Sequence, residues 1–532
     1  MSTSTNGEDA LLPAEAIDDA PPKRHALEAI EKVLIDLGDY LNPILVKESR
    51  QALKSRHFTF TFTALLVCAW GWSLFGAVQQ MPRIYYAPTG IFLLGGYYLI
   101  LAVPLLIIVP YSAFRSLSAE REDGTYELLA ITTLSSRQIV TGKLGSAILQ
   151  MIVYYSVLAP CMAFTFLLRG VDILTIFMFL FYTFLASVLF SAIGLMVASL
   201  SAARSWQMLM TVVILFALVI GTFMWFIGFF EILDEMDQAP YGDPLFWVVN
   251  LAVLSAYGTF LAIVILVAAG QNSFASDNRS TRVRIAILIQ AILFVGWIGY
   301  GWLETEEEAL PIIATFFAVA TFFVYGIFLT GESGVMSPRV KRDLPVTFLG
   351  RMLFTWFNPG SGTGYIFAVS NVIAITLFSV VMVEVGRNVG SFGRPVPGYI
   401  YQTLTLSVAY VIMYLGISRL VLILIPNREQ FGPALPFLVH VLVPFMGAAL
   451  PYVIQGIAQR AMGSQYTYLQ VYNWMWTIGE SGDRGLPIPF VVTIVCASAA
   501  IVFIINLVSA TREIEAVRLD TPDRVKKDDL AN

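Results

Sequence analysis

Few residues in this chain are placed to do chemistry. TGKL at 141–144 has the Gly-Lys ending of a phosphate-cradling loop, but the upstream glycine spacing is missing and Leu144 stands where such a loop needs Ser or Thr. The stretch therefore supplies no nucleotide site. GSGTG at 360–364 reads as a flexible turn. His25, His57 and His440 are scattered, without a Cys or carboxylate at metal-ligand spacing. Cys68, Cys161 and Cys496 all lie in apolar runs, where a thiol behaves as a small hydrophobe and not as part of a disulfide or metal framework. Glu384, Arg419, His440 and Gln455 lie in or near apolar segments, where polar groups are costly and often functional; Glu384 and Arg419 are expected near opposite membrane faces, snorkelling to the interface.

One charged segment stands out against this background, FRSLSAEREDGTYELLAITTLSSRQIVTGK at 114–143. Within it AEREDGTYELLA has helical composition with one Gly, and its four acids, Glu120, Glu122, Asp123 and Glu127, accompany Arg121. Ser135 followed by Gln138 fits a capping box, which would start a fresh helix running through Lys143. The expectation is a short helix, a break near 132–134, then a second helix. A polar helical projection that ends in Leu128 and Leu129 suits docking into a groove of a soluble partner. Upstream, in NPILVKESRQALKSR (42–56), Asn42 can cap a helix and Pro43 suits its first position. At about 100° per residue, Leu45, Val46, Ala52 and Leu53 gather on one arc, with Lys47, Arg50 and Lys54 opposite. Such a helix lies at the lipid headgroups. LPVTFLGRMLFTWF (344–357) is expected to be a second interfacial helix.

The elements that must position these residues are membrane spans. The chain is 57% hydrophobic and 13% charged, with mean hydropathy +0.73, well above a soluble domain. A span needs roughly 20 apolar residues. Twelve stretches qualify, near 58–78, 91–113, 144–168, 172–199, 207–230, 246–270, 285–303, 309–330, 363–384, 399–425, 432–458 and 487–509. The fold class is thus an all-α polytopic membrane protein. With the N-terminus inside, every one of the 32 Lys and Arg faces the cytoplasm except Arg83, Arg169, Arg387, Arg394, Arg460 and Arg484, as the retention of basic loops requires. Both termini are then cytoplasmic, and 114–143 joins spans two and three on that side. The first 22 residues hold five acids, no base and no apolar core, so residues 1–39 read as a cytoplasmic tail. The membrane part divides into 40–270 and 271–510, followed by a tail at 511–532.

NPILVKESRQALKSR before the first span, combined with SAEREDGTYELLAITTLSSRQIVTGK between spans two and three, resembles the permease subunits of ABC-type exporters, the six-span superfamily. The resemblance covers roughly residues 40–270. It implies a permease without an ATPase site or cofactor of its own, with ATP and magnesium on a separate ATP-binding cassette subunit. It also implies a permease homodimer or heterodimer, an elbow helix in contact with membrane lipid, and no nucleic-acid partner. Carried over, the coupling role falls on Glu120, Arg121, Glu122, Gly124, Thr125, Glu127, Leu128 and Leu129, and the elbow role on Asn42, Pro43, Lys47, Glu48 and Arg50. The six further spans carry no second EREDGT-like segment. Two other classes of function compete: an ion-coupled secondary transporter, which needs acids or broken helices near the midplane, and a membrane scaffold that anchors soluble partners through the same loop.

Overall fold

The computed structural model describes residues 42–130, 132, 134–200, 204–234, 241–274, 277–305, 307, 309–332, 354–389, 398–426, 434–459, 465–481 and 488–519. The expected N-terminal tail, most of the second interfacial helix (344–353) and the last residues of the C-terminal tail lie outside them.

Every described regular element is helical. An amphipathic helix, α1 (Pro43–Leu53), precedes six long helices: α2 (Arg56–Gln80), α3 (Gly90–Glu122), α5 (Ser136–Thr165), α6 (Ile173–Ala198), α7 (Arg204–Asp234) and α8 (Pro244–Gln271). The short α4 (Thr125–Ala130) lies between α3 and α5. Six more long helices follow: α9 (Ser280–Thr305), α10 (Ala309–Thr330), α11 (Ser361–Val389), α12 (Gly398–Leu424), α13 (Ala434–Gln459) and α15 (Ile488–Leu519). A two-turn α14 (Trp474–Glu480) precedes the last of these. Twelve helices are long and apolar enough to cross a bilayer, and they coincide with the twelve hydropathic stretches. The chain is a multi-pass membrane protein.

The first bundle is built around α3. Its Leu94, Leu101, Ala102, Leu105, Leu106, Val109, Phe114 and Leu117 are fully enclosed by α5, α6 and α7. Pro104 has no N–H to donate, and the ladder opens into one wide π turn over Pro104–Ile108, where Ser187 of α6 donates to the Leu105 carbonyl. Hydroxyl pairs tie the spans together: Thr61 with Tyr154 at 2.6 Å, Ser73 with Tyr97 at 2.6 Å, and Tyr98 with Thr183 at 2.7 Å. Lipid competes with apolar packing, so such bonds and close helix approach replace the hydrophobic drive between spans.

The second bundle wraps α12, of which Leu404, Leu406, Leu415 and Leu422 are enclosed. Small residues set its closest contacts. A Cβ on Gly364 of α11 would lie 2.3 Å from the Leu329 carbonyl oxygen of α10. The bundles meet through the α8 and α9 hairpin, where Ile263 of α8 enters the second core and Trp297 donates to Ser255 at 2.7 Å.

Gly364→Ala should therefore destabilise the protein by about 1–3 kcal/mol through forced overpacking against backbone. Gly258→Ala, at a helical position open to its surroundings, should be neutral or stabilising by up to about 1 kcal/mol. The two are compared by the temperature at which each variant loses its monodisperse peak in detergent.

Candidate functional site at the elbow end of the first bundle

The Asn42 and Pro43 start of α1 is realised. Asn42 Oδ1 accepts from the Ile44 amide at 3.1 Å, while its Nδ2 donates to the Gln138 carbonyl at 2.5 Å. This second bond docks α1 on the opening turns of α5. Gly142 and Gly145 make room there, since a Cβ on either would come within 3.0 Å of Ile44 or Leu45. The elbow thus packs Ile44 and Leu45 against protein, while Leu53 at its far end and Arg50 are exposed. The Ser135 and Gln138 capping box is also present, each side chain bonding the other's backbone amide at 3.3 and 2.9 Å.

On the same turn as Gly142 sits Lys143, whose side chain is 1% exposed. Its ammonium lies 3.1 Å from Glu48 of α1 and 3.0 Å from Glu120 of α3, and donates to the Ser116 carbonyl at 3.2 Å. Lys47 adds a longer, solvent-screened contact at 3.8 Å to each acid. A residue dismissed with the phosphate-loop remnant is thus the cation that joins α1, α3 and α5. Sequence reasoning missed it. The available signal was Glu48, an acid on an otherwise basic elbow, and a lysine just inside a capped span.

The expected helix over AEREDGTYELLA is divided differently. Residues 119–122 complete α3, the chain turns at Asp123 and Gly124 (φ +68°), and α4 starts at Thr125. The left-handed conformation at position 124 favours glycine. Thr125 Oγ1 donates to the Glu120 carbonyl at 3.2 Å. Arg121 turns inward, donating to Asn272 Oδ1 at 2.5 Å and standing 5.2 Å over the Tyr126 ring. Tyr126 Oη and Ser136 Oγ both donate to the Asn272 carbonyl, at 2.8 and 3.0 Å. Burial pushes the Tyr126 hydroxyl up in pKa, with Arg121 opposing, so it remains a protonated donor at neutral pH. Asn272, which caps α8, therefore gathers α3, α4 and α5. Glu122 pairs with Arg115 at 3.0 Å and accepts from Ser118. Of the eight residues assigned a coupling role, Glu120, Arg121 and Glu122 are engaged within the bundle. Gly124, Thr125 and Leu128 are exposed, Leu128 at 65%, alongside Asp123. The side chains of Glu127 and Leu129 lie outside the described residues.

The second bundle has its own buried cations at the same end. Arg284 of α9, fully enclosed, pairs with Glu332 at 2.5 Å and donates to the carbonyls of Trp356 and Gly360 at 2.7 and 3.3 Å. Arg419 of α12, also fully enclosed, pairs with Glu513 of α15 at 2.9 Å and donates to Asn506 at 2.9 Å and Ser361 at 3.2 Å. Glu513 in turn accepts from the Ser361 and Gly362 amides at 3.2 and 3.1 Å. Arg419 thus does not snorkel, and 361–364 is the clamped first turn of α11 and not a flexible turn: Arg419 of α12 and Glu513 of α15 hold it. His440 is enclosed and bonded to Thr330 at 2.8 Å and the Pro436 carbonyl at 2.7 Å. Gln455 accepts from Gln470 at 2.6 Å, and Glu384 from Tyr401 at 2.7 Å. Among the described residues no three His, Cys, Asp or Glu gather as metal ligands. Compared with known proteins, the chain matches no family model, no curated protein and no solved structure.

Lys143→Met would leave Glu48 and Glu120 facing each other with only the exposed Lys47 beside them, a change that should cost about 3–5 kcal/mol. Adding Glu48→Gln and Glu120→Gln should restore much of it, because neutral amides do not repel. Thermal melts of the single and triple variants in detergent compare the two; equal losses would mean that the charge contributes nothing.

Proposed function

We propose that this chain is the membrane-spanning permease subunit of an ATP-binding cassette exporter in the cytoplasmic membrane, both termini inside, acting as a dimer and driven by ATP hydrolysis on a separate subunit. One observation carries the reading. The apex of the 114–143 segment exposes Asp123, Gly124, Thr125 and Leu128, while Glu120, Arg121, Tyr126 and Ser136 around them are fastened to α1, α5 and α8 through Lys143 and Asn272. A loop that only joined two spans would not need a helix of its own bonded to α3 and to the cap of α8. A knob so fastened passes a push from a soluble subunit directly to the spans, and rocking of spans is one way to alternate access. The buried ionisable pairs favour this reading over ion-coupled transport. Arg284 and Glu332 lie in or just beyond the end turns of their spans and Arg419 is a few residues from the end of α12, where they brace helix ends.

Thr125→Cys should react with a membrane-impermeant maleimide in inverted vesicles and stay unlabelled in intact cells; the opposite pattern would overturn the orientation.

Replacing the exposed Leu128 by Asp should weaken association with the ATPase by about tenfold or more, because burying a leucine at an interface is worth about 1.5–3 kcal/mol. Glu122→Gln should weaken it less, since that carboxylate is turned toward Arg115. Quantitative co-purification from cells producing both subunits reads the difference, and normal recovery of the Leu128→Asp variant would reduce the segment to a linker.

A further inference from the structure

At the end of the first bundle remote from Lys143, α3 and α7 leave a lateral cleft of about 480 Å³, lined by Leu99, Phe223, Phe226, Ile227, Phe230 and Glu231. That volume is in the range of small-molecule sites. Its aromatic wall is fixed from behind. Trp225 donates to Tyr98 Oη at 2.6 Å, Phe229 stacks on the Tyr98 ring at 3.7 Å, and Phe226 meets that ring edge-on at 6.3 Å. Phe230 is held edge-on to Phe229 at 5.2 Å and passes over Gly95, where a methyl group would already touch it. Phe223 and Phe230 are nevertheless 60% and 41% exposed, so their faces are open to an occupant.

Glu231 closes the apolar stretch of α7 and is exposed, with no hydrogen-bond or ion-pair partner among the described residues, and no basic side chain lines the cleft. From Phe223 to Glu231 is eight residues, about 12 Å along the helix axis. The cleft therefore offers an apolar, aromatic floor of alkyl-chain length, leading to one free carboxylate where the span ends.

We propose that this cleft binds a singly charged lipophilic ammonium, with its tail along Leu99, Phe223 and Phe226 and its head between the Phe230 ring and the Glu231 carboxylate. The aromatic face and the carboxylate both attract a cation that keeps little water of its own. An anionic amphiphile meets repulsion at the same place. A zwitterionic lipid headgroup would bring its phosphate beside Glu231 with no base in the lining to receive it. Lipid tails are as apolar as the cleft floor, so the tail gains little on leaving the bilayer, and selection rests on the head. The site stands on this geometry alone and goes beyond the transport reading.

The test uses the full-length protein in phosphatidylcholine nanodiscs, without an ATPase subunit, and radiolabelled dodecyltrimethylammonium. Saturable binding is expected, displaced by the unlabelled cation and not by dodecyl sulfate or dodecanol at equal concentration. Glu231→Gln should weaken it about fivefold, the scale of one exposed charge contact. Leu99→Trp, which fills the cleft, should abolish it. Asp172→Asn, removing another exposed acid at the same end of the bundle, should leave it unchanged. Non-saturable uptake, equal displacement by dodecyl sulfate, full affinity in the Glu231→Gln variant, or an equal loss in the Asp172→Asn variant would each overturn the proposal. Because no ATPase takes part, such a failure would leave the transport reading where it stands.

Discussion

The buried ammonium of Lys143 is the constraint around which the elbow end of the first bundle is arranged. Removing a charge from water costs several kcal/mol, so it can remain enclosed only while opposite charges and a carbonyl reach it. Glu48 and Glu120 do so from two different helices, and Ser116 supplies the carbonyl. The elbow cannot lift, α3 cannot slide and α5 cannot turn without separating charges in a medium that screens them poorly. Asn272 complements this with a charge-assisted bond from Arg121 and neutral bonds from Tyr126 and Ser136, so the residues on both sides of the apex are fastened to the cap of α8.

The second bundle reaches a comparable solution with different residues. Arg284 and Arg419 are both enclosed, and each meets a carboxylate from another segment, Glu332 or Glu513. Both clusters converge on the start of α11. Glu513 rests on backbone amides of that helix, where a negative charge is favoured by the unpaired N–H groups and the peptide dipoles. The opposite end relies on ring contacts and hydroxyl bonds, such as those joining Tyr98 to Phe229 and Trp225. The first bundle is therefore stiffened by charge at one end and by aromatic packing at the other.

The spans were legible because crossing lipid imposes a length and a composition that few other structures share. Asn42 with Pro43 and Ser135 with Gln138 were legible because capping is local chemistry. The extent of α3 was not: hydropathy marks where lipid ends, whereas the helix continues through charged residues until Gly124 breaks it. Lys143 was missed and Arg419 misplaced for a different reason. A sequence gives the height of a residue along a helix but not which neighbour it faces, and both meet their carboxylates across helices that are distant in the chain. The exposed apex around Leu128 was anticipated, while the inward commitments of Glu120 and Arg121 needed through-space partners to be visible. The cleft at Glu231 was only half legible: Phe223, Phe226, Ile227, Phe230 and Glu231 repeat at helical spacing on α7, but that α3 brings Leu99 opposite them is a through-space fact.

The joint between α8 and α9 has a consequence for how the protein is made. Every bond described for the first bundle closes within residues 42–272, so that half has all its partners once Asn272 has entered the membrane. At a usual rate of about 5–20 residues per second, α9, complete at Thr305, follows only after a few seconds. During that interval the face of α8 bearing Ser255 and Ile263 has no α9 to meet, and lipid must cover it. The nascent first bundle thus waits with one unpaired face, which sets a window in which a second copy, or a membrane chaperone, could take the place of the helix still to come.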